Sequence, residues 1–154
     1  MDISARTDYA VRAMLTLADA DARDEGPVSV ERLASAQDLP RKFLEAIVAD
    51  LRQAGLVESR RGAAGGYVLA RPAAEVAVGE VFRAVSGPLA GVRGLRPQDT
   101  SYPGVARELP TLWVGVRAAL REVLDRTSIE DVRTGDLPAH VRRLVDSPDA
   151  WDNR

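Results

Sequence analysis

Between residues 40 and 69 the hydrophobic pattern changes its period once, from helical to alternating, and that change limits the folds open to the chain. Phe43, Leu44, Ile47, Val48 and Leu51 follow the i, i+3, i+4, i+7 rule of an amphipathic helix. Pro40 suits the first turn of that helix, and Gly55 suits the position just past its end, with Leu56 as the apolar contact that accompanies such a cap. Val57 to Arg60 and Tyr67 to Leu69 then read as two short strands, joined by Arg61-Gly62-Ala63-Ala64-Gly65-Gly66.

Upstream, Asp8 to Ala20 carries two apolar stripes, Ala10, Met14 and Leu17 on one and Val11, Leu15 and Ala18 on the other, as in a helix buried on two sides. The acidic stretch Asp19 to Glu25 and Gly26-Pro27 end it in a solvated loop. Ser29 is placed to cap a second helix with Glu31 in its first turn, and that helix breaks near Asp38. Helix, turn, helix, hairpin is the order of a winged helix-turn-helix. The expected fold class is therefore mainly α with a small β-hairpin, followed by a long C-terminal helix.

Past Pro72, Val78 to Val85 reads as one more short helix, ended by Gly87-Pro88. Repeated Gly and Pro predict an irregular loop over 87–104. Pro110 can start a last long helix with the stripe Leu112, Val116, Ala119 or Leu120, and Val123, and Trp113 beside it. That stripe needs a partner, either the first helix or the matching helix of a second subunit. The expected organisation is a winged helix-turn-helix DNA-binding unit at 1–86, an irregular loop at 87–109, a dimerisation helix at 110–132 and a C-terminal tail at 133–154, partly disordered after Pro148 where it carries Trp151.

The 154 residues include no cysteine, which excludes disulfides, thiolate nucleophiles and Cys-ligated metals. No apolar run is long enough for a membrane span and no secretory leader is recognisable, so a cytoplasmic location is expected. The net charge of -2 does not suggest a nucleic-acid binder, but residues 26–72 hold seven Arg/Lys against five Asp/Glu and form the one net-positive block. No catalytic pair accompanies the single histidine, His140, which is expected at the surface. The stretches Gly62 to Gly66 and Gly87 to Gly94 lack the order of phosphate-binding loops, and no enzyme activity is expected.

A winged helix of this kind places the first turn of its second motif helix in the DNA major groove. Arg41 and Lys42 can reach phosphates or guanine acceptors, and Glu45 can accept from a cytosine amino group. Arg41 and Glu45 could equally form an ordinary exposed pair one turn apart. Arg60 and Arg61 flank a loop beginning at Gly62 that lets backbone approach backbone, and an arginine on such a tip fits a narrow minor groove. Tyr67 reads as a packing residue that anchors the wing. A winged helix that binds only protein is the alternative; it would show neither steep salt dependence nor sensitivity at Arg61.

Three stretches resemble the Rrf2 family of regulators, which includes the IscR, NsrR and CymR types. They are Asp8-Tyr9-Ala10-Val11-Arg12-Ala13-Met14, Phe43-Leu44-Glu45 leading to Leu51-Arg52-Gln53-Ala54-Gly55-Leu56-Val57, and Ser59-Arg60-Arg61-Gly62-Ala63-Ala64-Gly65-Gly66-Tyr67-Val68-Leu69. Val78-Gly79-Glu80-Val81 with Gly87, and Trp113 followed by Thr127-Ser128-Ile129, extend the likeness to about residue 132. The resemblance implies a homodimer whose long helix crosses to the other subunit, bound to double-stranded DNA at a palindromic operator, with repression the commoner mode. By position it implies that Pro40, Lys42, Phe43, Glu45 and Ala46 are contacts of the recognition helix and that Arg61 is the minor-groove arginine. Ala46 departs from the more polar residue often found there, which implies a different base preference. Iron-sulfur members carry three cysteines in the loop matching 88–110; this loop has none, so neither a cluster nor another cofactor is expected. Asp8 matches a carboxylate cluster ligand of one branch, but its expected role here is a cap or first-turn residue. The signal is left open between a small-molecule and a protein effector.

Overall fold

The computed structural model describes residues 2–152. Its centre is α1 (Ala5–Ala22), capped by the Ser4 hydroxyl, which accepts from the Thr7 N–H. Asp8 accordingly lies in the first turn. Ala10, Ala13, Met14, Leu17 and Ala18 are all at most 2% exposed and form one wide buried face at i, i+3, i+4, i+7 and i+8; Val11 and Leu15 of the second expected stripe are only partly buried at its margin. Small alanines on that face let several neighbours pack closely against it.

The second helix, α2 (Val30–Gln37), is capped by Ser29, whose hydroxyl accepts from the Arg32 N–H at 3.2 Å. It ends at Asp38 in the left-handed conformation, φ 51° and ψ 54°, where a short polar side chain is tolerated. Leu39 then drops into the core and Pro40 opens α3 (Arg41–Gln53). Leu44, Ile47, Val48 and Leu51 of α3 are fully buried, which fixes the rotation of the helix about its axis.

Strands β1 (Val57–Arg60) and β2 (Gly66–Leu69) pair antiparallel, with Val57 opposite Leu69 and Arg60 opposite Gly66. The sheet has a third contributor that the sequence did not reveal. Val28 and Tyr67 exchange both backbone hydrogen bonds, Val28 N–H to the Tyr67 carbonyl at 2.9 Å and Tyr67 N–H to the Val28 carbonyl at 2.8 Å. This approach requires glycine at 66, where a Cβ would lie 2.5 Å from the Val28 carbonyl carbon and oxygen.

A 3-10 turn (Ala73–Glu75) leads to α4 (Val78–Ser86), where the Glu80 carboxylate accepts from the Ala77 N–H at 2.9 Å. The following segment is irregular apart from 3-10 turns at Pro97–Asp99 and Gly104–Ala106. The next helix, α5 (Leu109–Leu124), packs on the first of those turns and lightly on α4, and none of its side chains is fully buried.

The C-terminal part departs from the sequence reading. The helix expected to run through 132 stops at Leu124, and two further helices follow, α6 (Ile129–Thr134) and α7 (Ala139–Val145), with a 3-10 turn at Pro148–Trp151. The break has a local cause. The Thr127 hydroxyl donates back to the Val123 carbonyl at 2.7 Å, and Ser128 and Asp131 cap α6 reciprocally. Residues 127–129 also pair with 76–78, through Val78 N–H to the Thr127 carbonyl and Ile129 N–H to the Val76 carbonyl, both 2.9 Å. Ile129 is thereby fully buried beside α1, and α6 belongs to the same core as residues 1–86 rather than to a separate segment. The segment after Pro148, expected to be partly disordered, forms the 3-10 turn, and the Trp151 indole N–H donates back to the Val145 carbonyl at 2.7 Å. His140 is not a free surface residue; it turns toward Ala119 and Val123 of α5 with its Nε2 buried and without a hydrogen-bond partner. No helix among the described residues is long and apolar enough to cross a membrane.

Candidate nucleic-acid interface

Burial of one face of α3 dictates what the other presents. Pro40, Arg41, Lys42, Phe43, Glu45 and Ala46 all lie on the exposed side of the helix start. Arg60, Arg61 and Gly62 form a second exposed group at the tip of the hairpin. The Gly62 N-terminal to the turn has φ +116°, and Gly65 donates to its carbonyl at 3.0 Å to close the tip.

Charge within these groups is uneven. Arg41 is held by two carboxylates, Glu31 of α2 at 2.7 Å and Glu45 at 3.0 Å, so the exposed pair one turn apart does form in the unbound protein. Glu31 titrates below the usual carboxylate value because a backbone hydrogen bond at the start of α2 stabilises its anion and Arg41 adds an opposite charge. Arg60 likewise pairs with Glu58 at 3.0 Å. Among the described residues Lys42 and Arg61 make no ion pair. These two hold the positive charge immediately available to a phosphate.

Phe43 leaves 58% of its surface exposed. Its ring meets Tyr9 edge-on at 6.5 Å between centroids. Tyr9 in turn lies under the Arg12 guanidinium at 6.0 Å, and Arg12 also donates to the Gln37 carbonyl and, at 3.2 Å, to Gln37 Oε1. Tyr9 thus packs against the start of α3 and Arg12 ties α1 to the end of α2, contacts that sequence reasoning missed. The three-residue spacing of Tyr9 and Arg12 was visible, but the contacts cross from α1 to other helices and have no local signature. Tyr67 is half-buried against the core, and its backbone anchors the wing to Val28.

A short turn between two helices, a recognition helix with one face buried and one face free, and a glycine-tipped hairpin define a winged helix-turn-helix DNA-binding protein. Residues 3–134 match the family model described as Rrf2, iron-dependent transcriptional regulator, and the chain belongs to the Rrf2 family. It is 44% identical over 146 residues to an HTH-type transcriptional regulator of Mycobacterium tuberculosis strain H37Rv, covering 95% of this chain and 89% of that one. To the HTH-type transcriptional regulator CymR of Bacillus subtilis it is 38% identical, with 86% and 89% covered. Among solved structures, that of B. subtilis CymR, described as the global cysteine regulator, superposes with a TM-score of 0.72 at 35% identity over 87% of this chain and 97% of that one. T. potens IscR superposes at 0.67 with 32% identity over 100% and 93%. The chain is a DNA-binding transcriptional regulator and not an enzyme.

The iron named in the family description does not fit these residues. The chain has no cysteine, and no three His, Asp or Glu side chains among the described residues gather closely enough to hold a metal ion. Asp8 faces Arg12 at 3.4 Å on the surface of α1. One carboxylate already facing a cation offers no cluster site.

Proposed function

We propose that the protein acts in the cytoplasm as a homodimeric repressor on a palindromic operator, without an iron-sulfur cluster. Pro40, Arg41, Lys42, Phe43, Glu45 and Ala46 meet the major groove, while Arg60, Arg61 and Gly62 bring the wing to the minor groove. The observation that carries this reading is the position of Lys42 and Arg61, two cations without ion pairs on the two exposed elements that a winged helix offers to DNA. Dimerisation is supported by α5, whose stripe reaches no full burial within one chain and leaves Leu112 55% exposed. Beside it a largely apolar groove of about 780 Å3 runs between Ile3, Phe82, Val116, Leu120 and Val123.

One observation favours the rival reading of a protein-binding winged helix: Arg41 and Arg60 are neutralised where they stand. The two readings separate in one experiment. Purified protein is used to select genomic fragments at low and physiological salt, in parallel with Arg61→Ala. One enriched palindrome, lost at high salt and in the variant, supports the regulator on its operator; no enrichment at low salt refutes it and leaves the protein-binding module.

A further inference from the structure

We infer that the groove between α4, α5 and the segment at 86–98 binds a small multivalent anion, a molecule bearing two or more carboxylate or phosphate groups. The groove encloses about 900 Å3, within the range of ligand sites. Arg83, Arg96, Arg117 and Arg121 all line it, and no acidic side chain does. Glycines at 87, 91 and 94 leave its loop wall open to close approach by a ligand.

The pairing pattern sets these arginines apart. Most arginines of this chain sit within salt-bridge distance of a carboxylate, including Arg6, Arg12, Arg71 and Arg133. In the groove only Arg83 does, to Asp125 at 2.7 Å; Asp125 reaches it by lying against Gly79, where a Cβ would collide with the carboxylate at 1.9 Å. Arg117 donates only to the neutral Gln98 side chain at 2.8 Å, and among the described residues Arg96 and Arg121 have no ion pair. Arg117 and Arg121 stand one turn apart on α5, a spacing at which like charges repel. Three uncompensated guanidiniums in one concavity raise its potential, and a ligand with several anionic groups relieves that repulsion through paired N–H donors.

A DNA backbone is a poorer occupant, because no residue of α2, α3 or the hairpin lines the groove. An anion seated there ties α4 to α5. Any effect of the anion on operator binding rests on the function proposed above, but its binding does not.

The test is calorimetry on the full-length protein without DNA, using citrate and inorganic pyrophosphate as probes. Acetate and sodium chloride at matched ionic strength serve as controls. Saturable binding of citrate assigns a polycarboxylate, and saturable binding of pyrophosphate a phosphorylated ligand. The expected loss is at least about tenfold in affinity for Arg96→Gln/Arg121→Gln, with Arg117→Gln intermediate and Arg61→Ala unchanged. Heats no larger than the ionic-strength controls, or equal binding by the double variant, overturn the proposal. Two further results also overturn it: lost operator affinity of the double variant in the absence of any anion, which gives the groove to DNA phosphate, and its dissociation to monomers, which gives it to acids of a second copy.

Discussion

Replacing Gly66 by alanine tests whether the wing is held to residue 28 by close backbone contact. The added Cβ would lie 2.5 Å from the Val28 carbonyl carbon and oxygen and 2.9 Å from the Ser29 nitrogen. All three are backbone atoms, so no side chain can swing aside. Restoring an ordinary contact needs the two segments to part by about 1 Å. The Val28 and Tyr67 hydrogen bonds, 2.9 and 2.8 Å long, would then exceed bonding range. Two such bonds contribute about 2 kcal/mol; the stiffer unfolded chain of the alanine variant returns about 0.5 kcal/mol, and strain at the φ of +159° of residue 66 adds to the loss, which makes about 1.5 kcal/mol its lower bound. At about 2–4 °C per kcal/mol for a chain of this size, Tm should fall by at least about 3–6 °C. Thermal unfolding followed by circular dichroism measures that fall, and hydrogen exchange at the Val28 and Tyr67 amides locates it. An unchanged Tm with both amides still protected would refute the reasoning. Gly62→Ala is the control: nothing lies within 4 Å of its Cβ position, so it should leave the Val28 amide protected and add only backbone strain from φ +116°.

Ile129→Ala should destabilise the protein by about 2–5 kcal/mol in urea unfolding, since α6 is part of the core; a loss under about 0.5 kcal/mol would place α6 outside it. Arg12→Ala removes the tie between α1 and the end of α2, and its partial exposure limits the cost to about 1 kcal/mol; thermal melts showing no change would deny that tie a role. Glu80 is pushed up by burial, but the Arg71 hydrogen bond and the Ala77 N–H outweigh this and lower it below its ordinary 4.5. A depressed carboxylate stabilises above the unfolded value and loses that contribution as pH falls through the folded one. Glu80→Gln should therefore cost at most about 1 kcal/mol at pH 7, with the gap from wild type closing below pH 4.5; a gap constant down to about pH 3 would contradict the assignment.

The elements that carry dense local signals were legible in the sequence. Leu44, Ile47, Val48 and Leu51 predict both α3 and its buried face, and the exposed position of Lys42 follows from that face; Phe43, read on the same apolar stripe, instead lies at its margin and stays 58% exposed. The hairpin and the Ser29 cap were equally plain. What escaped depends on contacts distant in sequence. Val28 extends the sheet by one residue, too short for any alternation to show. The end of α5 was masked because Glu122, Val123 and Leu124 continue a helical pattern, and the decisive pairing of 127–129 with 76–78 is non-local. Ser128 followed three residues later by Asp131 was the available sign of a new helix. At the site, the neutralisation of Arg41 by Glu31 could not be read, since it joins two helices across a turn.

The bonds between Val28 and Tyr67 fasten the wing to the residue preceding the cap of α2, and Arg12 fastens the other end of that helix to α1. Wing, α2 and α3 are thus joined through those bonds and a shared core. On the function proposed above, a signal arriving through α4 and α5 would meet them as a unit and act on how the two units of a dimer are spaced and angled. Regulation would then register as a changed tolerance for the distance between operator half-sites while the half-site sequence stays the same.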